Sequence, residues 1–424
     1  LNDVAGSPVF RILPSAVHPK KDTAEMKSLS TSVLALAPSM TVAIDTRAKE
    51  LQAAGQDVVG LGAGEPDFDT PDYIKEAAIA SLRAGKTKYT PPTGIPELKR
   101  AVADKLLREN NVSVDPAQVV VTSGVKHAVN NVLQTVLNPG DEVLIPAPYW
   151  VTYPELVKLY GGVPVFLPTS VATGYKITPA QLEAAVTPRT KLLVLCNPSN
   201  PTGMVYGRQE LEAFADILVR HDLYVLSDEI YEHILYDGRE RVSIASLGPE
   251  ILARTLLVNG LSKAYAMTGW RVGYFAGPPA LAKALGALQS QATHHPANVS
   301  QYAAVAALEG GLEFVFRMRD EFARRRDFVV DALQGIPGVV APRPEGAFYA
   351  LPDVSAFYGR ETPSGKVVSG SLDLGEYLLA DKLLAVVPGI AFGEDRSIRL
   401  SYATSLDNLR RAMDRLRSGL LVLT

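Results

Sequence analysis

Residues 191–233 read KLLVLCNPSNPTGMVYGRQELEAFADILVRHDLYVLSDEIYEH. The apolar run Lys191–Cys196 predicts a strand, Glu210–His221 has the period of an amphipathic helix, and Leu223–Ser227 is a second apolar strand. The same alternation continues outward on both sides. Gln118–Thr122 predicts a strand and Val125–Leu137 a helix, followed by strands at Glu142–Ile145 and Val163–Leu167. Thr255–Val258 and Val272–Ala276 are further short β-rich runs. Strands separated by helices of roughly 10–15 residues imply an α/β fold with a mostly parallel sheet covered on both faces. Ligands of such sheets bind at the carboxyl ends of strands. The polar residues that follow each strand are therefore the ones to weigh.

The segments outside this alternation predict a second, smaller α/β domain. Residues 306–335 are helical in pattern, and their run Arg324-Arg325-Arg326 reads as a solvated helix face. Residues 346–351 (GAFYAL) and 396–402 (RSIRLSY) read as strands, and Gly359–Ser371 as a flexible loop. The expected organisation is an extension at 1–25, a first segment of the small domain at 26–70, a large domain at 71–305 and the rest of the small domain at 306–424. Residues 1–25 show no period, so they are expected to be a disordered arm or to precede a true start at Met26. The stretch from Met26, MKSLSTSVLALAPSMTVA, has a faint signal-peptide look, but Ser32, Pro38, Ser39 and Thr41 break its apolar core.

Composition narrows the function. The 424 residues are 47% hydrophobic and 21% charged, with a net charge of −3. That is an ordinary globular balance, with no basic excess to hold nucleic acid or anionic lipid by charge. No apolar run is long enough to span a bilayer. The single cysteine, Cys196, excludes an intramolecular disulfide and fits a reducing compartment, so a cytoplasmic protein is expected. At the end of an apolar strand it reads as a small core residue.

Three motif-like stretches fail. Gly60-Leu61-Gly62-Ala63-Gly64 has Glu65 where a dinucleotide fingerprint needs its third glycine. Gly85-Lys86-Thr87 has Ala80 where a P-loop needs its first glycine. Glu229 and His233, and the adjacent His294-His295, lack a third converging ligand, so no metal is expected.

Four strand-end segments fit one cofactor. Lys263, in TLLVNGLSKAYAMTGWRVGY (255–274), follows a strand among small and apolar neighbours. Burial there lowers an amine pKa and frees the neutral form for Schiff-base chemistry. Arg271, eight residues on, can reach back as a fork to a phosphate. Asp228 directly follows an apolar strand, where a carboxylate needs a cationic partner such as a protonated pyridine nitrogen, and Tyr231 can aim its hydroxyl at the same ring. An aspartate N-cap is the structural alternative for Asp228. Thr122-Ser123-Gly124-Val125-Lys126 forms a strand-to-helix junction of the kind that binds phosphate, or a plain capped helix start. The two X-Pro steps of Asn197–Gly203 stiffen a turn that would hold the Asn200 amide in place as a donor.

With these residues in view, the chain resembles the fold-type I, pyridoxal 5'-phosphate-dependent aminotransferases, and within them the bacterial aspartate and aspartate/prephenate branch. The likeness runs from about Leu29 to Leu416. It rests on GAGEPDFDTP (62–71), GKTKYTPPTGIPELK (85–99), PYWVTYPE (148–155), NPSNPTG (197–203), SDEIYEH (227–233), SKAYAMTGWRVGY (262–274) and RLSYATS (399–405). It implies a seven-stranded, mostly parallel sheet in the large domain and a ping-pong exchange of an amino group between amino and keto acids.

The resemblance also implies roles. Lys263 would hold the cofactor as a Schiff base and then shuttle the proton, Asp228 would pair with the pyridine nitrogen, and Asn200 and Tyr231 would bond the ring oxygen. Trp150 would stack on the ring, while Ser123, Gly124, Val125 and Arg271 would cradle the phosphate. Tyr89 would reach the phosphate of a neighbouring subunit, making the active form a homodimer. Arg399 would grip the substrate α-carboxylate beside Gly64 and Asn200, and Thr41 and Lys126 would hold a distal carboxylate. The substrates implied are aspartate or glutamate with 2-oxoglutarate or oxaloacetate, and prephenate. His294-His295 stand where relatives tend to have small hydroxyl residues, near the neighbouring subunit's pocket, which leaves broader or aromatic specificity open. A β-eliminating lyase would need the same Lys263, Asp228 and phosphate cup.

Overall fold

The apolar runs between residues 119 and 276 assemble into one seven-stranded sheet in the computed structural model, which describes residues 28–424. The expectations for residues 1–25 lie outside the described residues. The strands are β1 Val119–Thr122, β2 Glu142–Ala147, β3 Val163–Pro168, β4 Thr190–Cys196, β5 Tyr224–Asp228, β6 Thr255–Gly260 and β7 Gly273–Ala276. Their order across the sheet is β1-β7-β6-β5-β4-β2-β3. β3, β2, β4, β5 and β6 pair in parallel, whereas β7 runs antiparallel to both β6 and β1. The connection from β6 to β7, residues 261–272, holds no α-helix and so returns the chain alongside its own strand instead of crossing over.

The core follows the pleat. Leu192 and Val194 enter the apolar cluster built around helix Val125–Val136, while Leu193 and Leu195 enter a separate cluster with Phe214 and Leu218 of helix Arg208–Arg220. Val120 likewise faces the first cluster, and Val119 and Val121 face Leu98, Val102 and Leu106 of helix Pro96–Asn110. Successive side chains of one strand thus fill opposite faces, which is why these strands read as continuous apolar runs. Helix Arg208–Arg220 starts two residues before the predicted bound because Glu210 reaches back to the Gly207 amide at 2.8 Å.

Ala37–Thr424 form one compact unit, and the described residues of the other unit include the short helix Thr31–Leu34. Within Ala37–Thr424, Val59–Gly60 pairs in parallel with Leu384–Ala385, and Val387–Pro388, Ile398–Ser401 and Tyr349–Ala350 make a three-stranded antiparallel sheet. The predicted strands at 346–351 and 396–402 are present in shortened form. No helix among the described residues is long and apolar enough to cross a membrane.

Two expectations are corrected. The run Arg324-Arg325-Arg326 is not a solvated face: only Arg324 is exposed, and Arg326 is 1% exposed. Helix Glu313–Gln334 turns Arg326 inward, where it meets Asp237 at 2.7 Å and Asp327 at 2.8 Å and lies over the Tyr236 ring. Residues 359–371 are not a loose loop either. Glu361 bridges Val367 and its amide donates to the Thr424 carbonyl, and Val368 is buried. The Arg326→Met variant should lose about 2 kcal/mol of unfolding free energy, less than for a fully buried pair because Asp237 keeps solvent contact. Urea unfolding followed by circular dichroism checks this, with Arg324→Met expected at the wild-type midpoint.

Candidate active site

The carboxyl ends of β4, β5 and β6 open onto a cavity of about 370 Å³. The sheet places one functional side chain at each end. β4 leads into the turn that holds Asn200, β5 ends on Asp228, and Lys263 lies in the connection after β6. Gly64, Val125, Lys126, Trp150, Tyr231, Arg271, Thr41 and Arg399 line the same cavity. Ser123 and Gly124 stand at its edge against Arg271, whose Nη2 lies 3.4 Å from the Ser123 carbonyl. Tyr89 lies elsewhere, 88% exposed, with its ring 5.3 Å from His294 and 5.8 Å from His295.

Asp228 is buried, and burial pushes its carboxyl up to about 6 against two stabilising hydrogen bonds, from Tyr153 Oη at 2.8 Å and from the Ile230 amide at 3.2 Å. Lys263 opposes the same shift through its charge. The Lys263 amine is itself enclosed by protein on the scale that sets its dielectric, although its tip opens to the cavity. Burial lowers it to about 8, Glu65 pulls it back up, and Arg399 and Arg271 push it further down. Its Nζ donates to the Gly64 carbonyl and lies about 6 Å from the Tyr231 and Phe348 rings. An amine and a carboxylate, each moved toward neutrality, share one cavity.

Arg399 is buried at 3% exposure and has no carboxylate partner among the described residues. Its Nη1 donates to Asn200 Oδ1 at 3.1 Å and its Nη2 to the Gly62 carbonyl at 2.7 Å, while Nε has no partner. The rings of Tyr349 and Phe392 flank the guanidinium at 4.5 and 4.9 Å. A buried cation with an unused donor is costly by itself and favourable once an anion joins it. Asn200 thus accepts through its oxygen here, which leaves its amide nitrogen as the donor that the turn reading expected.

A second anion position lies at the start of helix Val125–Val136. The Val125 and Lys126 amides come before any intrahelical acceptor, and both residues line the cavity. Gly124 has φ of +83°, and a Cβ there would sit 2.5 Å from Arg271 Nη2, so glycine is what allows the guanidinium to close on the helix start. Gly273 serves the same approach from β7, since a Cβ on it would meet the Val125 amide at 2.6 Å. A helix start and Arg271 at one end, the Asp228 carboxylate at the middle and the Lys263 amine beside both fit pyridoxal 5'-phosphate.

Several lining residues carried no sequence signal of their own. Tyr153 bonds Asp228, although its place one turn after Trp150 in PYWVTYPE would have pointed to it. Tyr349 Oη meets Tyr231 Oη at 2.9 Å, so Tyr231 is tied across the cavity floor. Cys196 packs against the core around helix Val125–Val136 and also lines this cavity, and burial raises its thiol, which keeps it protonated and unreactive. Glu229 and His233 do not converge. Glu229 bonds Ser227 and Ser243, and His233 bonds Glu109 at 2.8 Å.

Comparison with known proteins agrees with this geometry. The family described as aminotransferase class I and II matches residues 56–416. The chain is 50% identical over 394 residues to an aspartate/prephenate aminotransferase of Cereibacter sphaeroides, covering 93% of this chain and 98% of that protein. It is 47% identical to an aspartate aminotransferase of Geobacillus stearothermophilus, covering 92% and 98%. Among solved structures, the Rhizobium meliloti aspartate aminotransferase superposes with a TM-score of 0.91 at 42% identity, covering 94% and 100%. The Thermus thermophilus aspartate aminotransferase with maleate does so with a TM-score of 0.87 at 46% identity, covering 93% and 100%.

Proposed function

The chain belongs to the class I and II aminotransferases, which are pyridoxal-phosphate-dependent, and from that premise we propose that it moves an amino group between dicarboxylic amino and keto acids. The donors are aspartate and glutamate, the acceptors 2-oxoglutarate and oxaloacetate, with prephenate as a further acceptor. The observation that carries this reading is Arg399, a buried guanidinium with an unpartnered Nε, facing the cavity that holds the Lys263 amine.

Val125, Gly124, Ser123 and Arg271 would hold the cofactor phosphate, Asp228 the pyridine nitrogen, Asn200 and Tyr231 the ring oxygen, and Trp150 one ring face. Bound there, the cofactor supplies an electron sink for the pair left when the substrate loses its Cα proton. Every other task falls to the chain. Arg399 binds the α-carboxylate through two parallel hydrogen bonds, with the Gly64 backbone beside it, and so fixes the Cα–H direction. The Lys263 amine, lowered to about 8, would take that proton at Cα and return it to the cofactor carbon on the far side of the transferred nitrogen. Asp228 stays ionised beside a cation because that partner relieves its burial. Closure of residues 37–70 and 306–424 over 71–305 excludes water during transfer.

Lys126 supports the dicarboxylate preference. Its Nζ lies 5.1 Å from the Trp150 ring, on the cavity wall with Thr41, where a distal carboxylate of a bound substrate can meet it. The maleate in the Thermus thermophilus structure has two carboxylates, as these substrates do. Tyr89, exposed and packed beside the half-buried His294 and His295, suits contact with a second copy, and the active form is a homodimer. The free Cys196 suits a reducing cytoplasm.

A half-reaction panel tests the function. Aspartate and glutamate should each convert the cofactor absorbance to that of pyridoxamine phosphate, and their keto acids or prephenate should reverse it. Release of pyruvate without that conversion would overturn the reading in favour of a lyase. The Lys126→Met variant should lose about 10–100-fold in kcat/KM for aspartate and keep its value for alanine.

A further inference from the structure

Behind the sheet ends lies a buried polar cluster that the mechanism above does not use. Asp228 faces the cavity, while the two acidic residues that follow it in the turn, Glu229 and Glu232, face away. Glu232 is 4% exposed and is enclosed by three donors from two elements. Lys105 Nζ of helix Pro96–Asn110 donates to it, Asn110 Nδ2 does so at 2.5 Å, and Asn259 Nδ2 of β6 at 2.6 Å. Burial alone would raise this carboxyl, but the charges of Lys105, His233 and Arg241 outweigh it and keep the group ionised. Lys105 is buried as deeply, and it also bonds Asn110 Oδ1 at 2.7 Å.

The position of Asn259 gives this cluster its meaning. The β5–β6 ladder runs as far as Asp228 opposite Val258, with one further bond from the Glu229 amide to the Val258 carbonyl at 3.0 Å. Beyond it the pairing with β5 ends, while Asn259 and Gly260 continue to pair with Tyr274 and Gly273 of β7 on the other edge. Yet these are the residues that aim the site, since Tyr231 lies just past that end on one strand and Lys263 four residues after Asn259 on the other. The Glu232–Asn259 bond is a side-chain tie beyond the ladder. Asn259 passes it to the main chain, since its Oδ1 accepts from the Gly260 amide at 2.7 Å. We propose that Glu232, anchored by Lys105, is a positioning residue that fixes through Asn259 the spacing between the Asp228 turn and the Lys263 connection.

A tie of this kind acts on geometry beyond its share of stability. A displacement of an ångström between reacting groups can lower turnover by about 100-fold. The inference rests on the reading of Lys263 and Asp228 given above, and the experiment separates the two. Asn259→Ala cuts the tie and leaves the Lys105–Glu232 pair in place. Ser243→Ala serves as its control, because it removes one hydrogen bond to Glu229 in the same cluster without touching Asn259.

On holoenzyme, five quantities are read: the pH midpoint of the bound cofactor's absorbance, the dissociation constant of pyridoxal phosphate, kcat and KM for aspartate, and Tm. Asn259→Ala should shift the midpoint by about half a unit or more. It should lower kcat by about tenfold with KM within about twofold. Ser243→Ala should lower Tm to a similar extent with midpoint and kcat unchanged. If Asn259→Ala does not accumulate, Asn259→Ser is read in the same way, since its hydroxyl is too short to reach Glu232. A wild-type midpoint and kcat in the Asn259 variant, or an equal shift in both variants, would overturn the proposal. A wild-type protein that binds no pyridoxal phosphate would overturn the reading of the site as well.

Discussion

Lys263→Ala should lower kcat by up to about 10⁴-fold while the protein still binds pyridoxal phosphate. The loss is large because no other side chain can take its place. Tyr231 is committed to Tyr349, burial raises its hydroxyl far above the working range, and Cys196 is likewise held protonated. Of the remaining cations of the cavity, Arg271 and Arg399 cannot give up a proton near neutral pH, and Lys126 lies over the Trp150 ring, where the distal carboxylate of the substrate would engage it. Single-turnover kinetics with aspartate measure the effect, and a loss below about 100-fold would remove Lys263 from proton transfer.

The same burial has a second consequence in cofactor-free protein. Lys263 is lowered to about 8 in the folded chain against 10.5 in the unfolded one. Between those values the unfolded chain holds the extra proton, so stability should rise with pH across that window. Lys263→Ala should flatten this rise. A stability profile from pH 7.5 to about 10.5 checks the sign, and a rise that persists in the variant would mean that another group is responsible.

Arg399→Leu should lower kcat/KM for aspartate by about 10²–10⁴-fold, the worth of two hydrogen bonds from a charged donor. The variant should fold as well as the parent. Arg399 has no carboxylate partner among the described residues, and burial lowers its pKa, a sign that the folded chain disfavours the charge. Leucine can pack between the Tyr349 and Phe392 rings that now flank the guanidinium. A variant with a Tm at or above the parent's and a kcat/KM within tenfold of it would mean that the substrate carboxylate is bound elsewhere.

These two residues were legible from sequence for different reasons. Lys263 stood at the end of an apolar run with Arg271 eight residues on, so local burial and a phosphate partner could be argued from spacing. Arg399 lay in an ordinary alternating stretch, RSIRLSY, and only the family resemblance singled it out. Its burial comes from pairing of Ile398–Ser401 with Tyr349–Ala350 and Val387–Pro388, contacts distant in sequence. Tyr153 and Asn259 were missed on the same ground. Each is one polar residue in an apolar or aromatic context until β4, β5 and β6 lie side by side.

The run at 324–326 shows the opposite error. Three adjacent arginines on a helix point in three directions, about 100° apart, so charge content alone cannot say which of them faces solvent. Arg326 turns to the core because Asp237 and Tyr236 arrive there from a loop almost ninety residues away.

By itself the sequence determined the α/β alternation, the strand ends and the residue types placed on them, because hydrophobic period and turn chemistry are local properties. Tertiary structure alone decided the reversed direction of β7, the burial of Arg399 without a counter-ion, and the Lys105–Glu232–Asn259 tie behind the site. Each of these depends on which distant segments share a low-dielectric interior, and burial raises or lowers the charge of a side chain only once those segments have met.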